Sequence, residues 1–187
     1  MLYFIMKWTR SESNLNPYTQ GELDGLCGLY AVINAVRISA TIKYKHCQHI
    51  FHQSLKLLAS QQDSSEVVFD GMSRACLSKA LAVAATKAPI AWSWPFYRKK
   101  ASLAVLWGTI ENFINERQGN AAILWIGGHD WAHWTVVKEV TPRKMVLFDS
   151  WHRRCLTRGK CTIGEPTRAR PIYIGATCTC FITRKPA

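Results

Sequence analysis

Acidic residues are scarce in this sequence. Its 187 residues hold 12 Asp and Glu against 24 Lys and Arg, a net charge of +12. That balance excludes the acidic, solvating class of chain and points toward anionic partners. No apolar run approaches the roughly 20 residues a membrane span requires, so none is expected. The seven cysteines are odd in number and irregular in spacing, which argues against a closed disulfide framework and for free thiols in a reducing compartment. There is no internal repeat, low-complexity tract or linker-like stretch, so residues 1–187 are expected to form a single domain. The apolar opening from Met1 to Met6 lacks a basic leader and a small-residue cleavage site. It is expected to be a first strand or packed arm rather than a signal peptide.

What is present is the material for a packed globule: 48% hydrophobic residues and eight Trp, enough to bury a core without covalent staples. The positive charge is uneven. Residues 141–187 hold ten Lys and Arg against Asp149 and Glu165, a balance of +8 and two thirds of the total. Two readings stand, a solvated basic face or a surface for an acidic partner such as a protein, nucleic acid or anionic surface.

The pattern of residues predicts helices in the first half and strands in the second. Residues 7–24 read as a loop, with Ser11, Ser13, Asn14, Asn16 and Pro17 favouring turns. From Cys27 to about Ile38 apolar residues occur on nearly every side, the pattern of a buried helix. A second helix is expected over Tyr44–Ala59, and a short Val67–Phe69 piece after it. A third is expected from about Gly71 to Lys87, capped by Asp70. Residues 90–101 read as an extended segment broken by Pro95. A fourth helix starts at the cap Ser102 and stops near Gly119. Short strands follow at Ala121–Ile126, His133–Val140, Lys144–Asp149, Pro171–Ile174 and Cys178–Thr183. This is an α+β order, with a buried Cys-bearing helix in the N-terminal half packed on a C-terminal antiparallel sheet.

The chemistry centres on Cys27. Gly21, Asp24 and Gly25 form a loop into it, and a helix runs out of it. A thiol in the first helical turn meets unpartnered N–H groups and the positive helix pole, both of which favour the thiolate. A nucleophilic thiolate needs a base, and the base needs an orienting group. His133 opens a strand after a glycine-rich turn, and Asp149 ends the strand that returns through Thr141-Pro142-Arg143. Antiparallel pairing brings the start of one strand beside the end of the other. His133 and Asp149 are therefore expected to be neighbours, as the orienting pair of a catalytic triad would be. Without Cys27, the same pair would read as a satisfied His–Asp contact at a sheet edge. Trp131, Trp134 and Trp151 flank the pair, either roofing a substrate site or packing the sheet.

Metal readings carry less weight. His46, His49 and His52 follow helical spacing beside Cys47 but lack the paired spacing of a zinc module. Cys155, Cys161, Cys178 and Cys180 supply four thiols without a knuckle pattern; Cys178 and Cys180 would share one face of a strand and read as core. No metal and no cofactor is expected.

Taken together, Cys27-Gly28 opening a buried helix, the upstream Gln20, His133-Trp134-Thr135-Val136 and Phe148-Asp149-Ser150 resemble the papain-like cysteine peptidase superfamily. The Cys, His, Asp order is similar to that of bacteriocin-leader peptidase domains and bacterial effector proteases. The His-Trp and Asp-Ser blocks are also similar to those of ubiquitin-like-protein peptidases, which place the Cys last. The resemblance implies Cys27 as nucleophile, His133 as general base and acid, Asp149 as its orienter, and Gln20 as a side-chain donor to the oxyanion. Between Gln20 and Cys27 stands one residue more than in papain, a difference that Gly21 and Gly25 can absorb. The activity implied is cleavage of a peptide or isopeptide bond in a protein or peptide substrate. A glutamine deamidase or transglutaminase would use the same triad, and a non-enzymatic basic module holding nucleic acid is the third reading. A cytoplasmic protein, or a delivered toxin-type effector with an inhibitory or immunity partner, fits the size and charge.

Overall fold

Helix α1, Cys27–Ala40, sits at the centre of the architecture. Ten of its fourteen residues are buried, Cys27, Gly28 and Leu29 among them, because the apolar residues leave almost no polar side to turn to water. It ends at Thr41, whose left-handed backbone (φ 49°) lets its N–H bond back to the carbonyl of Arg37. The computed structural model describes residues 15–21, 24–60, 68 and 71–186. The strand or arm expected at Met1–Met6, the cap expected at Asp70 and most of the Val67–Phe69 piece lie outside the described residues.

Helix α2, Tyr44–Ala59, buries Cys47, Ile50, Ser54 and Leu58 along one stripe, as its spacing predicts. Helix α3 covers Arg74–Ala85 and is capped by Ser73, whose hydroxyl accepts from the N–H of Cys76 at 3.2 Å. It begins three residues later than expected, because a serine that can take an orphan first-turn N–H is already available there. Helix α4, Leu103–Glu116, has the expected cap, Ser102, accepting from the N–H of Val105 at 3.2 Å.

The strands form one mixed, mostly antiparallel sheet: β1 (Ile90–Ser93), β2 (Ala121–Gly127), β3 (Ala132–Val140), β4 (Lys144–Leu147), β5 (Cys155–Thr157), β6 (Cys161–Thr162), β7 (Ile172–Ile174) and β8 (Cys180–Arg184). The main path runs β1-β8-β2-β3-β4-β5, with β7 also against β2 and a short parallel β6–β7 pair. Part of the extended 90–101 segment is thus a true edge strand, paired with the last strand of the chain. Two more strands, β5 and β6, arise where none is expected. They are two and three residues long, too short for alternation to show. The segment at Ala176–Cys178 is a 3₁₀ turn, so Cys178 and Cys180 do not share a strand face as expected.

Helices cover both sides of the sheet. On one, α1, α2 and α3 pack with Ala121, Ile123, Trp134, Val136, Cys180 and Ile182. On the other, α4 supplies Leu106, Trp107, Ile110 and Ile114 against Ala122, Leu124, Val137 and Phe181. The expected α+β order, helices first and a mostly antiparallel sheet after, is present, with the fourth helix on the opposite face of the sheet from the other three. Strand alternation on β2 explains it, since both faces of that strand are apolar and both need cover. No helix among the described residues is long and apolar enough to cross a membrane.

Candidate active site

The turn before α1 is tied by one carboxylate. Asp24 accepts from the N–H of Gly21 through Oδ2 at 2.9 Å and from the N–H of Leu26 through Oδ1 at 3.0 Å. Gly25 donates to the carbonyl of Val68, and a side chain at position 25 would meet that oxygen. The chain is thereby turned into the helix with Cys27 in its first turn. No side chain caps this end of α1, so the N–H groups of Cys27 and Gly28 have no acceptor among the described residues. Gly28 is packed under Met72: a Cβ there would lie 2.9 Å from the Met72 Cβ. The neighbouring carbonyl of Met72 accepts from Trp134 Nε1 at 2.7 Å.

Across the β3–β4 hairpin the expected pair forms. His133 Nε2 lies 2.7 Å from Asp149 Oδ1, with both residues 2% exposed. Asp149 leaves the ladder after Leu147, and its Oδ2 accepts from the backbone N–H groups of Trp151 and Arg153, each at 2.9 Å. The buried Thr135 hydroxyl faces the carboxylate without completing a hydrogen bond. With Nε2 engaged, Nδ1 is the ring nitrogen left for Cys27, whose sulfur is near enough to raise the His133 pKa and makes a long hydrogen bond to the Gly25 carbonyl at 3.8 Å. Cys27 itself is buried but not sealed, at 8% exposure.

The charges follow from these contacts. Burial alone would push the His133 imidazole toward its neutral form. The hydrogen bonds to Asp149 and Cys27, with the attraction of both groups, outweigh burial and raise its pKa to about 9. Burial would likewise raise Asp149, but the His133 hydrogen bond and charge hold its carboxyl below the usual range, helped by the Arg153 N–H. The result is a buried imidazole ring, its protonated form favoured, held between the Asp149 carboxylate and the Cys27 sulfur.

Gln20 reaches the site, in a different posture from that expected. Its side-chain Nε2 donates to the Asp24 carbonyl at 3.2 Å, and its Oε1 accepts from Ser150 Oγ at 3.1 Å. Its backbone N–H donates to the Ser150 carbonyl at 3.2 Å. Gln20 is therefore a strut between the loop that carries Cys27 and the loop that carries Asp149.

The three tryptophans separate. Trp151 is 52% exposed, its ring centre 5.5 Å from that of His133. Trp131 is half-buried, 6.4 Å from Trp151 and beneath the Arg153 guanidinium at 4.9 Å. Trp134 is corrected from a substrate surface to core, buried among the helices with its N–H spent on Met72. Asp24, Met72, Ser150 and Arg153 all support the site, yet none carries a pattern readable without the fold. The Asp24–Leu26 turn is the one signal present, as an Asp two residues before the N-cap of α1.

The remaining histidines and cysteines stay apart from it. Cys47 is buried in α2, while His49 and His52 face outward. Among the described residues no cluster of three or more His, Cys, Asp or Glu is arranged to hold a metal ion. Among the described residues no cysteine is in a disulfide. Burial pushes the Cys161 thiol up to about 11 and raises Cys180 as well, which makes both poor nucleophiles. Comparison with protein-family models, with curated proteins and with solved structures found no match. The functional reading rests on this geometry and on the residues that form it.

Proposed function

We propose that the protein is a cysteine peptidase-type thiol hydrolase of papain-like design, cutting a peptide or isopeptide bond through a thioester. The observation that carries the reading is the buried His133–Asp149 contact with Cys27 facing the same ring from a helix start. The Cys27 thiol proton resides on His133 Nδ1, leaving a thiolate beside an imidazolium. The sulfur adds to the substrate carbonyl carbon, and the carbonyl electron pair moves onto oxygen. The free first-turn N–H groups of Cys27 and Gly28 are placed to accept that charge. As the tetrahedral species collapses, the C–N bond breaks and the imidazolium gives its proton to the leaving amine. Water, deprotonated by the now neutral His133, then attacks the thioester carbonyl; the acid leaves and Cys27 is regenerated. Asp149 holds the ring in place throughout and stabilises its protonated form. Trp151, exposed against His133, roofs the approach and offers an apolar surface to the substrate.

The test is proteome-wide identification of new termini after treatment with the wild-type chain or Cys27→Ala. A loss of activity of about 10⁴-fold or more is expected from the substitution, with the folded state kept. Full activity in Cys27→Ala sinks the reading. Mass gain without cleavage would instead assign a deamidase or transglutaminase.

A further inference from the structure

Far along the same hairpin lies a second feature that the triad does not use. An open cavity of about 680 Å³ is lined by Leu103, Ala104, Pro142, Arg143, Arg158 and Arg170, with Thr157 and Gly159 at its rim. Arg143 stands just before β4 and Asp149 just after it, so the two places are separated by six residues of nearly extended chain, on the order of 20 Å. We propose that this groove is a docking site for an acidic, partly apolar peptide segment of a protein partner.

The charge complementarity is one-sided. Three guanidiniums line the groove and no carboxylate does. The ion pairs among the described residues are His129–Asp130, His133–Asp149 and Lys138–Glu139, so none of the three arginines is neutralised there. The groove also opens at the start of α4, whose first turn contains no acidic residue and whose positive pole adds to the same field. Like charges gathered in one concavity repel one another, and an anionic guest relieves that repulsion.

The walls are built to stay in place. Trp107 Nε1 donates to the Thr141 carbonyl at 2.9 Å and ties α4 to the hairpin turn. The backbone N–H of Arg158 donates to the Arg143 carbonyl at 2.9 Å, and its side chain reaches the Pro142 carbonyl at 3.4 Å. The Arg170 N–H donates to Thr167 Oγ1 at 3.1 Å. The backbone carrying the three arginines is thus held, and guanidiniums recognise carboxylates by paired N–H donation. The lining then selects among anions. It offers no aromatic ring on which a nucleobase could stack, whereas Leu103, Ala104 and Pro142 give an apolar floor for side chains between acidic residues. The site uses three of the ten cations in residues 141–187, a concentration that hydrolysis leaves unexplained. It stands independently of the catalytic reading.

Fluorescence anisotropy on the full chain tests this, using a labelled peptide of alternating Glu and Leu, its Gln-for-Glu counterpart, and a single-stranded DNA of equal charge. The Glu peptide is expected to bind saturably and the Gln peptide not to bind. The triple variant R143Q/R158Q/R170Q should weaken binding by about tenfold or more. The variant K43Q/K45Q/K87Q removes the same charge from exposed positions elsewhere and should change little, as should Cys27→Ala. Equal weakening by both triple variants, no saturable peptide binding, or tighter groove-dependent binding of the DNA each overturns the proposal. Each single arginine variant carries the same comparison should the triple variant fail to fold.

Discussion

The two ends of the β3–β4 hairpin treat charge in opposite ways. At the open end, His133 and Asp149 are sealed from water at 2% exposure and lie 2.7 Å apart. At the turn end, Arg143 stands exposed, and Arg158 and Arg170 join it without a carboxylate in the groove they line. Water explains the contrast. A buried charge must find its partner inside the protein or give up its charge, while an exposed one is solvated and can wait for a partner from outside. One end of the hairpin therefore holds a paired, buried charge, and the other leaves its charges open to solvent or an incoming anion. A bulge between Val137 and Glu139 lies between the two.

The comparison is broken most directly by removing Asp149. Asp149→Ala leaves a buried imidazole without its carboxylate and two backbone N–H groups without an acceptor. Chemical denaturation should show a loss of about 3 kcal/mol or more. Burial then acts against only the Cys27 contribution at His133, so its pKa should fall well below about 9. NMR titration of the ring reads this. A His133 that stayed protonated to pH 9 in the variant would show that something other than Asp149 holds the charge.

The same pair sets a window of stability. His133 binds its proton more tightly folded than unfolded, so its contribution is complete below pH 6.5 and is lost as pH rises through about 9. The shift corresponds to roughly 3 kcal/mol. Asp149 acts with the opposite sign: its folded pKa is lowered, so its contribution is present above its ordinary 3.8 and is lost as pH falls through the folded value. Thermal unfolding between pH 6.5 and 9 should show a falling Tm for the wild type. Asp149→Ala should flatten that slope, and an unchanged slope in the variant would place its origin elsewhere.

How much of this could be read from the chain depends on which contacts follow sequence order. The helix over Tyr44–Ala59, the Ser102 cap and the hairpin through Thr141 were legible because period, cap and turn are local. The meeting of His133 with Asp149 was legible for the same reason, since one short turn fixes both strands. Trp134 looked like a neighbour of the site because it adjoins His133 in sequence. Its ring instead packs into the core beneath the helices, where it bonds Met72, 62 residues away. Gln20 was placed at the site by motif, but its bonding to Ser150 spans 130 residues, and no local pattern encodes such a strut. The edge strand at Ile90–Ser93 escaped because its partner, β8, lies at the far end of the sequence. The groove between α4 and the hairpin turn was visible only as an excess of arginine, with nothing to say which of the ten cations converge.

The smallest effect sharpens the contrast furthest. If these guanidiniums are kept for recognition, their removal should cost the fold little beyond the long Arg158 contact with the Pro142 carbonyl. R143Q/R158Q/R170Q should leave Tm unchanged or raise it by about 1–2 °C through relief of repulsion at low salt, and the rise should shrink as salt screens the charges. Differential scanning calorimetry at two salt concentrations measures it. A large loss of Tm would mean that these side chains bind the hairpin together, as the His133–Asp149 pair does at its other end, and the division between a holding end and a recognising end would fall.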